Sequence, residues 1–350
     1  MLSNSDISYI ASKDQITRSD FQLLISPEAS THLEIMAQFS REITLRRFGR
    51  MISLYVPLYL SSYCVNSCSY CGFNAHNNIK RCILSADQVK KELETLRNEG
   101  FGHVLLLTGE APQKTPTNWI AQMVSIASEI MDHVSVEVFP MSEEEYRQLV
   151  KAGCDAVTVY QETYDREVYS QVHPSGPKRD YDWRYETPVR AAQASMRGVG
   201  LGFLAGLAPW RQEALAMYDH ALKLMETDWK VRPAFSFPRL RPHAGHFEVP
   251  FPVTDAEIAQ LIFALRIAFP DAELVLSTRE SADFRNGFIG LGVTRMSAGS
   301  STKVGGYSET VDQTGQFEIS DDRHPSQIAD TIWKAGYEPV WKDWDRVFSE

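Results

Sequence analysis

The chain has 350 residues, 43% hydrophobic and 23% charged, an ordinary globular composition, and a formal charge of −10. That acidity argues against nucleic acid as a partner, because such binding rests largely on Lys and Arg neutralising phosphates. No apolar stretch is long enough to span a bilayer, residues 1–19 lack the apolar centre of a signal segment, and five cysteines do not make a disulfide framework, so a reducing cytoplasm and no membrane partner are expected.

Residues 1–49 read as a helical preface carrying Leu33, Ile35, Met36, Phe39, Ile43 and Leu45. A strand-then-helix rhythm begins near residue 50 with the apolar run Ile52 to Leu60. Ser85 with Gln88 forms a capping box for a helix bearing Val89, Leu93 and Leu96, closed by Gly100. His103 to Leu107 is a buried strand, and a helix around Ile120, Met123, Val124 and Ile130 leads to a strand at Val134 to Val138. Ser142 with Glu145 caps the next helix, Gly153 stops it, and Ala156 to Tyr160 is a strand. A helix near Val189 to Met196 precedes a strand at Leu201 to Leu204; another near Glu213 to Met225 precedes a strand at Ala234 to Phe237. Thr254 with Glu257 caps a helix whose Ile258, Leu261, Ile262, Leu265 and Phe269 keep helical spacing until Pro270. Strands at Glu273 to Leu276 and near Phe288 to Leu291 complete the series.

Eight strands alternating with helices predict an α/β fold, a (βα)8 TIM-type barrel over residues 50–300. An N-terminal helical extension (1–49) and a C-terminal segment (301–350) would pack on it. An open doubly wound sheet is the alternative. In such a barrel the site lies at the carboxyl ends of the strands. Polar residues at those ends include Thr108-Gly109-Glu110, Glu137, Gln161-Glu162, Arg239, Arg241 and Arg279.

After the first strand come Cys64, Cys68 and Cys71, a Cys-x3-Cys-x2-Cys loop with Tyr70 just before the third cysteine. An iron–sulfur cube normally takes four thiolates, so three leave one iron open to another ligand. A structural Cys3His zinc site with His76 is the competing reading. Cys154, between Gly153 and a strand, reads as a small buried side chain, and Cys82 likewise as inert. Trp341 and Trp344 near the end read as packing residues.

The cysteine loop resembles that of the radical S-adenosylmethionine superfamily. The resemblance implies a 4Fe-4S cluster on Cys64, Cys68 and Cys71 whose open iron holds S-adenosylmethionine, with one electron releasing a 5′-deoxyadenosyl radical. It implies cofactor contacts from Tyr70, Thr108, Gly109, Glu110, Glu137, Gln161, Glu162 and Arg184. A glycine at 109 lets backbone approach the ligand, and the Glu110 carboxylate suits its charged amino group. Glu162 stands where the family places an acid for ribose or amino group, and Arg184 where it places an arginine for the carboxylate. A surface ion pair is the alternative for Arg184.

Further motifs are similar to the branch of aromatic amino acid lyases: Val56-Pro57-Leu58-Tyr59-Leu60, Val159 to Tyr164, Ser236 to Pro242, Leu276 to Ser281, Gly305-Gly306-Tyr307 and the tail Val340 to Asp345. Together they cover most of residues 20–346 and point to the tyrosine lyases of thiamine biosynthesis. Those enzymes cleave the Cα–Cβ bond of L-tyrosine to 2-iminoacetate and p-cresol. The resemblance implies thiazole synthase as a partner and an electron donor such as flavodoxin or ferredoxin. Arg279 offers a planar fork suited to the substrate carboxylate, while Tyr59 and Ser297 match pocket positions; core packing is the alternative for Tyr59. Residues 293–300 do not match the tyrosine enzymes closely, which leaves tryptophan or another aromatic substrate as an alternative. A further relative makes carbon monoxide and cyanide with a second cluster in a C-terminal extension. No cysteine follows Cys154 here, which argues against that reading.

Overall fold

A computed structural model describes residues 2–342. Eight parallel strands close on themselves: β1 (Met51–Ser61), β2 (His103–Thr108), β3 (His133–Glu137), β4 (Ala156–Thr158), β5 (Gly198–Gly202), β6 (Arg232–Ser236), β7 (Glu273–Leu276) and β8 (Arg295–Ser297). They stand in sequence order, and β1 closes the ring by pairing with both β2 and β8. Helices join successive strands, as parallel pairing requires. The (βα)8 barrel expected from the strand–helix rhythm is therefore the fold. Among the described residues no helix is long and apolar enough to cross a membrane.

The three capping boxes form where the sequence places them, at Ser85/Gln88, Ser142/Glu145 and Thr254/Glu257. Each satisfies two otherwise orphaned backbone N–H groups and fixes a helix start. The helix Ala86–Asn98 buries Val89, Leu93 and Leu96. The preface folds into helices Asn4–Ala11, Arg18–Leu24 and Leu33–Phe48, the last packed against Asp255–Ala268. Its buried residues are Met36, Ser40 and Thr44, with Ser40 Oγ donating to the Leu291 carbonyl.

Two strands differ from expectation. The apolar residues 288–291 are a turn closing the helix Ala282–Gly287, and β8 begins at Arg295. Gly290 and Gly292 have φ of 81° and 114° there, a left-handed backbone that turns the chain out of the sheet. Ser297 therefore lies on the eighth strand rather than beyond it. β5 occupies Gly198–Gly202, earlier than expected. A Cβ at position 202 would stand 2.4 Å from the Tyr160 ring, so only glycine leaves that aromatic its place.

The chain beyond β8 first crosses the carboxyl end of the barrel. Gly305 N–H donates to the Tyr59 carbonyl (3.0 Å), Glu318 N–H to Pro242 (2.9 Å) and Ser320 N–H to Thr278 (2.8 Å). It then descends to a ninth strand, β9 (Glu338–Val340), parallel to the first residues of β1. Gly102 N–H donates to the Trp341 carbonyl, and the Trp341 ring packs edge-on against Phe101, centroids 5.2 Å apart. Trp344 lies outside the described residues.

Candidate active site

β1 delivers the cysteine loop to the carboxyl end of the barrel. Val65 N–H donates to the Glu110 carbonyl (2.9 Å), Gly109 N–H to Ser61 (3.1 Å) and Gly72 N–H to Gln316 (3.0 Å). Arg81 stitches the loop's ends together through the carbonyls of Ser62, Phe73 and Asn74. Gly109 is the contact point: a Cβ there would stand 2.3 Å from the Tyr63 carbonyl oxygen and 3.0 Å from Cys64 Cβ. Tyr70 packs beside this loop, its hydroxyl 2.6 Å from His173 Nε2. The other ring nitrogen lies 2.9 Å from the Tyr169 carbonyl, so it carries the proton and Tyr70 donates. Burial holds that imidazole neutral, pushing its pKa down to about 2.

Cys64, Cys68 and Cys71 are free thiols, Cys68 buried and the others half-buried. Burial pushes Cys68 up to about 12 and raises Cys71, with neighbouring thiols adding to both. Three soft sulfur donors on one backbone-pinned loop fit an iron–sulfur cluster, whose binding would displace those protons. Gln316 Nε2 donates to Cys71 Sγ at 3.5 Å. Among the described residues no three His, Cys, Asp or Glu side chains stand close enough to share one ion. A cube asks for no such convergence, since each thiolate binds its own iron. His76 is exposed, Cys154 is buried with its thiol donating to the Ala156 carbonyl, and Cys82 is half-buried.

Beside the loop lie the other expected cofactor contacts. Thr108 Oγ1 and Gln161 Nε2 are buried without a hydrogen-bond partner among the described residues, so each has a bond left to give to a ligand. Glu162, with φ of 71°, turns left-handed just after β4. One of its oxygens receives Lys178 Nζ (2.6 Å) and Arg184 (3.3 Å). Burial opposes its ionisation, yet Lys178 and Arg184 hold its pKa below the usual carboxylate range. Arg184 is buried, its Nε donating to the Tyr160 carbonyl, so it is an internal residue and not a surface ion pair. Glu110 accepts from Asn66 Nδ2 at 2.6 Å, bracing the cysteine loop. Glu213, on the helix Trp210–Thr227, holds the 162–165 turn through Thr163 Oγ1 and the Tyr164 N–H, both 2.8 Å.

Inside the barrel mouth is a cavity. Tyr59, Arg279, Ser297 and Phe317 line it, together with Glu137, which the resemblance offered as a cofactor contact. Arg239 is spent on Glu280 and Asp255, and Arg241 lies 3.9 Å from Glu280. Arg279 has no salt-bridge partner among the described residues; the one hydrogen bond of its guanidinium among them, to the Arg239 carbonyl, is long at 3.5 Å. Its guanidinium lies 3.4 Å from the centroid of the Phe317 ring, which fixes its plane and leaves its edge for an anion. Tyr59 donates to Gln316 Oε1 (2.7 Å) and packs edge-on against Phe73. Ser297 Oγ accepts the Thr278 N–H (3.0 Å), and the Ser297 carbonyl accepts from Arg285, which is buried against Asp321. A second cavity lies lower in the barrel and adjoins the first through Tyr55, Leu105 and Tyr160.

Lys178, Gln316 and Phe317 are site residues that the sequence does not announce. Gly315-Gln316-Phe317 has no periodicity, and only the crossing of the 301–320 segment over the mouth brings it beside Arg279 and Cys71.

A closed parallel barrel with three thiols on the loop after its first strand, and a cavity beside them, defines a radical S-adenosylmethionine barrel. The Radical SAM superfamily model matches residues 58–211, and the Biotin and Thiamin Synthesis associated domain matches residues 236–338. The chain is 41% identical to 2-iminoacetate synthase of Escherichia coli (strain K12) over 342 residues, covering 97% of this chain and 91% of that protein. It is 39% identical to the Salmonella typhimurium 2-iminoacetate synthase over the same length. Among solved structures, that of HydG, a maturase of the FeFe-hydrogenase, superposes with a TM-score of 0.91 at 33% identity, covering 97% of this chain and 77% of that one. Methylornithine synthase shares the fold, with a TM-score of 0.73 at 23% identity. The chain belongs to the 2-iminoacetate synthase family.

Proposed function

We propose that this protein cleaves the Cα–Cβ bond of L-tyrosine to 2-iminoacetate and p-cresol, supplying a precursor of the thiamine thiazole. Family membership supports the reaction class. The observation that carries the substrate reading is Arg279, a cation without a salt-bridge partner among the described residues, its fork in the wall of a cavity beside the cysteine loop. Cys64, Cys68 and Cys71 would hold a 4Fe-4S cluster, which together with S-adenosylmethionine would supply radical chemistry for activating the substrate amine.

The chain's own residues do the rest. Thr108, Gly109, Gln161, Glu162 and Arg184 hold the cofactor, with Tyr70 and Glu110 keeping the loop in place. Arg279 binds the substrate carboxylate through two parallel hydrogen bonds and so orients the amino group. Tyr59 and Ser297 bound the space for the substrate, and the cavity excludes water from a reactive intermediate. Thiazole synthase as recipient of the imine, a flavodoxin or ferredoxin as electron source, and a cytoplasmic location complete the proposal.

The test is anaerobic turnover of the iron-reconstituted protein with dithionite, S-adenosylmethionine and either tyrosine or tryptophan. The expected result is p-cresol and glyoxylate from tyrosine, with a matching amount of 5′-deoxyadenosine. An indole product from tryptophan, with no p-cresol from tyrosine, would overturn the substrate and leave the radical chemistry standing.

A further inference from the structure

The wall of the mouth cavity holds one carboxylate and one guanidinium, Glu137 at the end of β3 and Arg279 after β7, among the described residues. The third and seventh strands of an eight-stranded barrel stand opposite each other, so the two charges face across the mouth. The other acids near this rim are engaged: Glu162 with Lys178 and Arg184, Glu280 with Arg239, Glu110 with Asn66. Glu137 has neither a hydrogen bond nor an ion pair among the described residues. A cavity with one uncommitted carboxylate opposite one uncommitted guanidinium complements a zwitterion.

The charge on the substrate nitrogen matters for the proposed reaction, on whose reading this inference rests. A free amino acid arrives as the ammonium form. Taking a hydrogen atom from it would leave a positively charged radical, whereas the neutral amine gives a neutral one. A base is therefore needed between binding and hydrogen abstraction, within reach of the nitrogen once the carboxylate is anchored. We infer that Glu137 accepts a proton from the α-ammonium group of the substrate held by Arg279, delivering it as the neutral amine.

In that step one N–H bond of the ammonium breaks, its electron pair stays on nitrogen, and the proton forms an O–H bond on Glu137. No electron is gained or lost, and the proton leaves to solvent when the products depart. The surroundings suit a base that exchanges a proton near neutral pH. Burial, then the Glu162 carboxylate, raise the pKa of Glu137 to about 7, against the lowering by Arg279, Lys178 and Arg184. Tyr55 and Tyr59 on β1 and Tyr160 beyond β4 are the other titratable groups coupled to it, and burial raises all three, so they stay neutral. Catalytic bases gain most when their pKa lies near the working pH.

The variant Glu137→Gln keeps the shape and removes the base. Reconstituted with its cluster and assayed anaerobically, it should make p-cresol about 100-fold or more slowly than wild type at pH 7. Its rate should climb roughly tenfold per pH unit towards the ammonium pKa of tyrosine, where solvent does the work of the base. S-adenosylmethionine affinity, measured by equilibrium dialysis, should be unchanged. Glu137→Asp should retain the wild-type pH profile at a reduced rate, which keeps the test valid if the Gln variant folds poorly. Wild-type rates from Glu137→Gln at pH 7, or a low rate that does not rise with pH, would overturn the inference. So would a loss of S-adenosylmethionine binding, which would assign the carboxylate to the cofactor. Failure of the wild type itself to form p-cresol is a separate result, and it would remove the parent proposal.

Discussion

Replacing Arg279 by Ala separates binding from folding unusually well. The guanidinium makes no salt bridge among the described residues, so its removal breaks no ion pair. The loss to the fold is its contact with the Phe317 ring, about 0.5–2 kcal/mol for a cation over an aromatic face. For a chain of this length that moves Tm by roughly 3 °C at most. The loss to the substrate is much larger. Truncating one member of a desolvated guanidinium–carboxylate pair costs about 3–5 kcal/mol, or roughly 100- to 5,000-fold in kcat/KM. Arg239 and Arg241 cannot compensate, because Glu280 and Asp255 already hold Arg239 and Glu280 lies beside Arg241. Arg279→Lys should fall between, since an ammonium cannot make the two parallel bonds. The assay is anaerobic kinetics of p-cresol and 5′-deoxyadenosine with varied tyrosine, alongside thermal unfolding. Slow 5′-deoxyadenosine formation should persist while p-cresol collapses. Undiminished p-cresol from a folded Arg279→Ala protein would remove this residue from the site.

Arg285, six residues on, should behave in the opposite way. Its side chain and that of Asp321 are almost wholly buried together, so Arg285→Ala leaves a buried carboxylate with Arg323 as its remaining ion-pair partner. A cost near 3 kcal/mol follows, seen as a fall in Tm of about 4 °C, with displacement of Ser297, whose carbonyl Arg285 holds; an unchanged Tm would refute it. Phe317→Leu should raise KM for tyrosine roughly 2- to 30-fold by freeing the Arg279 plane, and Phe317→Trp should restore it. Glu137→Gln should also stabilise the protein at pH 8. An unfolded glutamate titrates near its usual value, while the folded one titrates near 7. Between those values the folded state holds a proton that the unfolded state has lost, so wild-type stability falls as pH rises through this window. The penalty is complete above pH 7 at roughly 3 kcal/mol. The variant should therefore melt about 4 °C higher than wild type at pH 8 and no higher at pH 4, and equal melting at pH 8 would count against the raised pKa.

Local chemistry in the chain determined much of this protein. Capping boxes at Ser85, Ser142 and Thr254 start helices wherever they occur, and apolar spacing of 3.6 or 2 residues selects helix or strand without outside help. The alternation of those elements leaves a parallel barrel as the economical closure, and the spacing of Cys64, Cys68 and Cys71 is itself the chemical signal. The eighth strand was hidden because Phe288 to Leu291 is as apolar as a strand, and only the left-handed glycines at 290 and 292 turn it away. The fifth was displaced because glycines lower strand propensity, and the reason for Gly202, room for Tyr160, lies in the segment after β4. A surface ion pair stayed open for Arg184 because nothing near it in sequence reveals its pairing with Glu162, 22 positions away. Phe317 beneath Arg279, Gln316 between Tyr59 and Cys71, and Glu137 opposite Arg279 depend on loops meeting across the barrel mouth. Such meetings join residues far apart in the chain and leave no local pattern, so only the closed tertiary structure decides them.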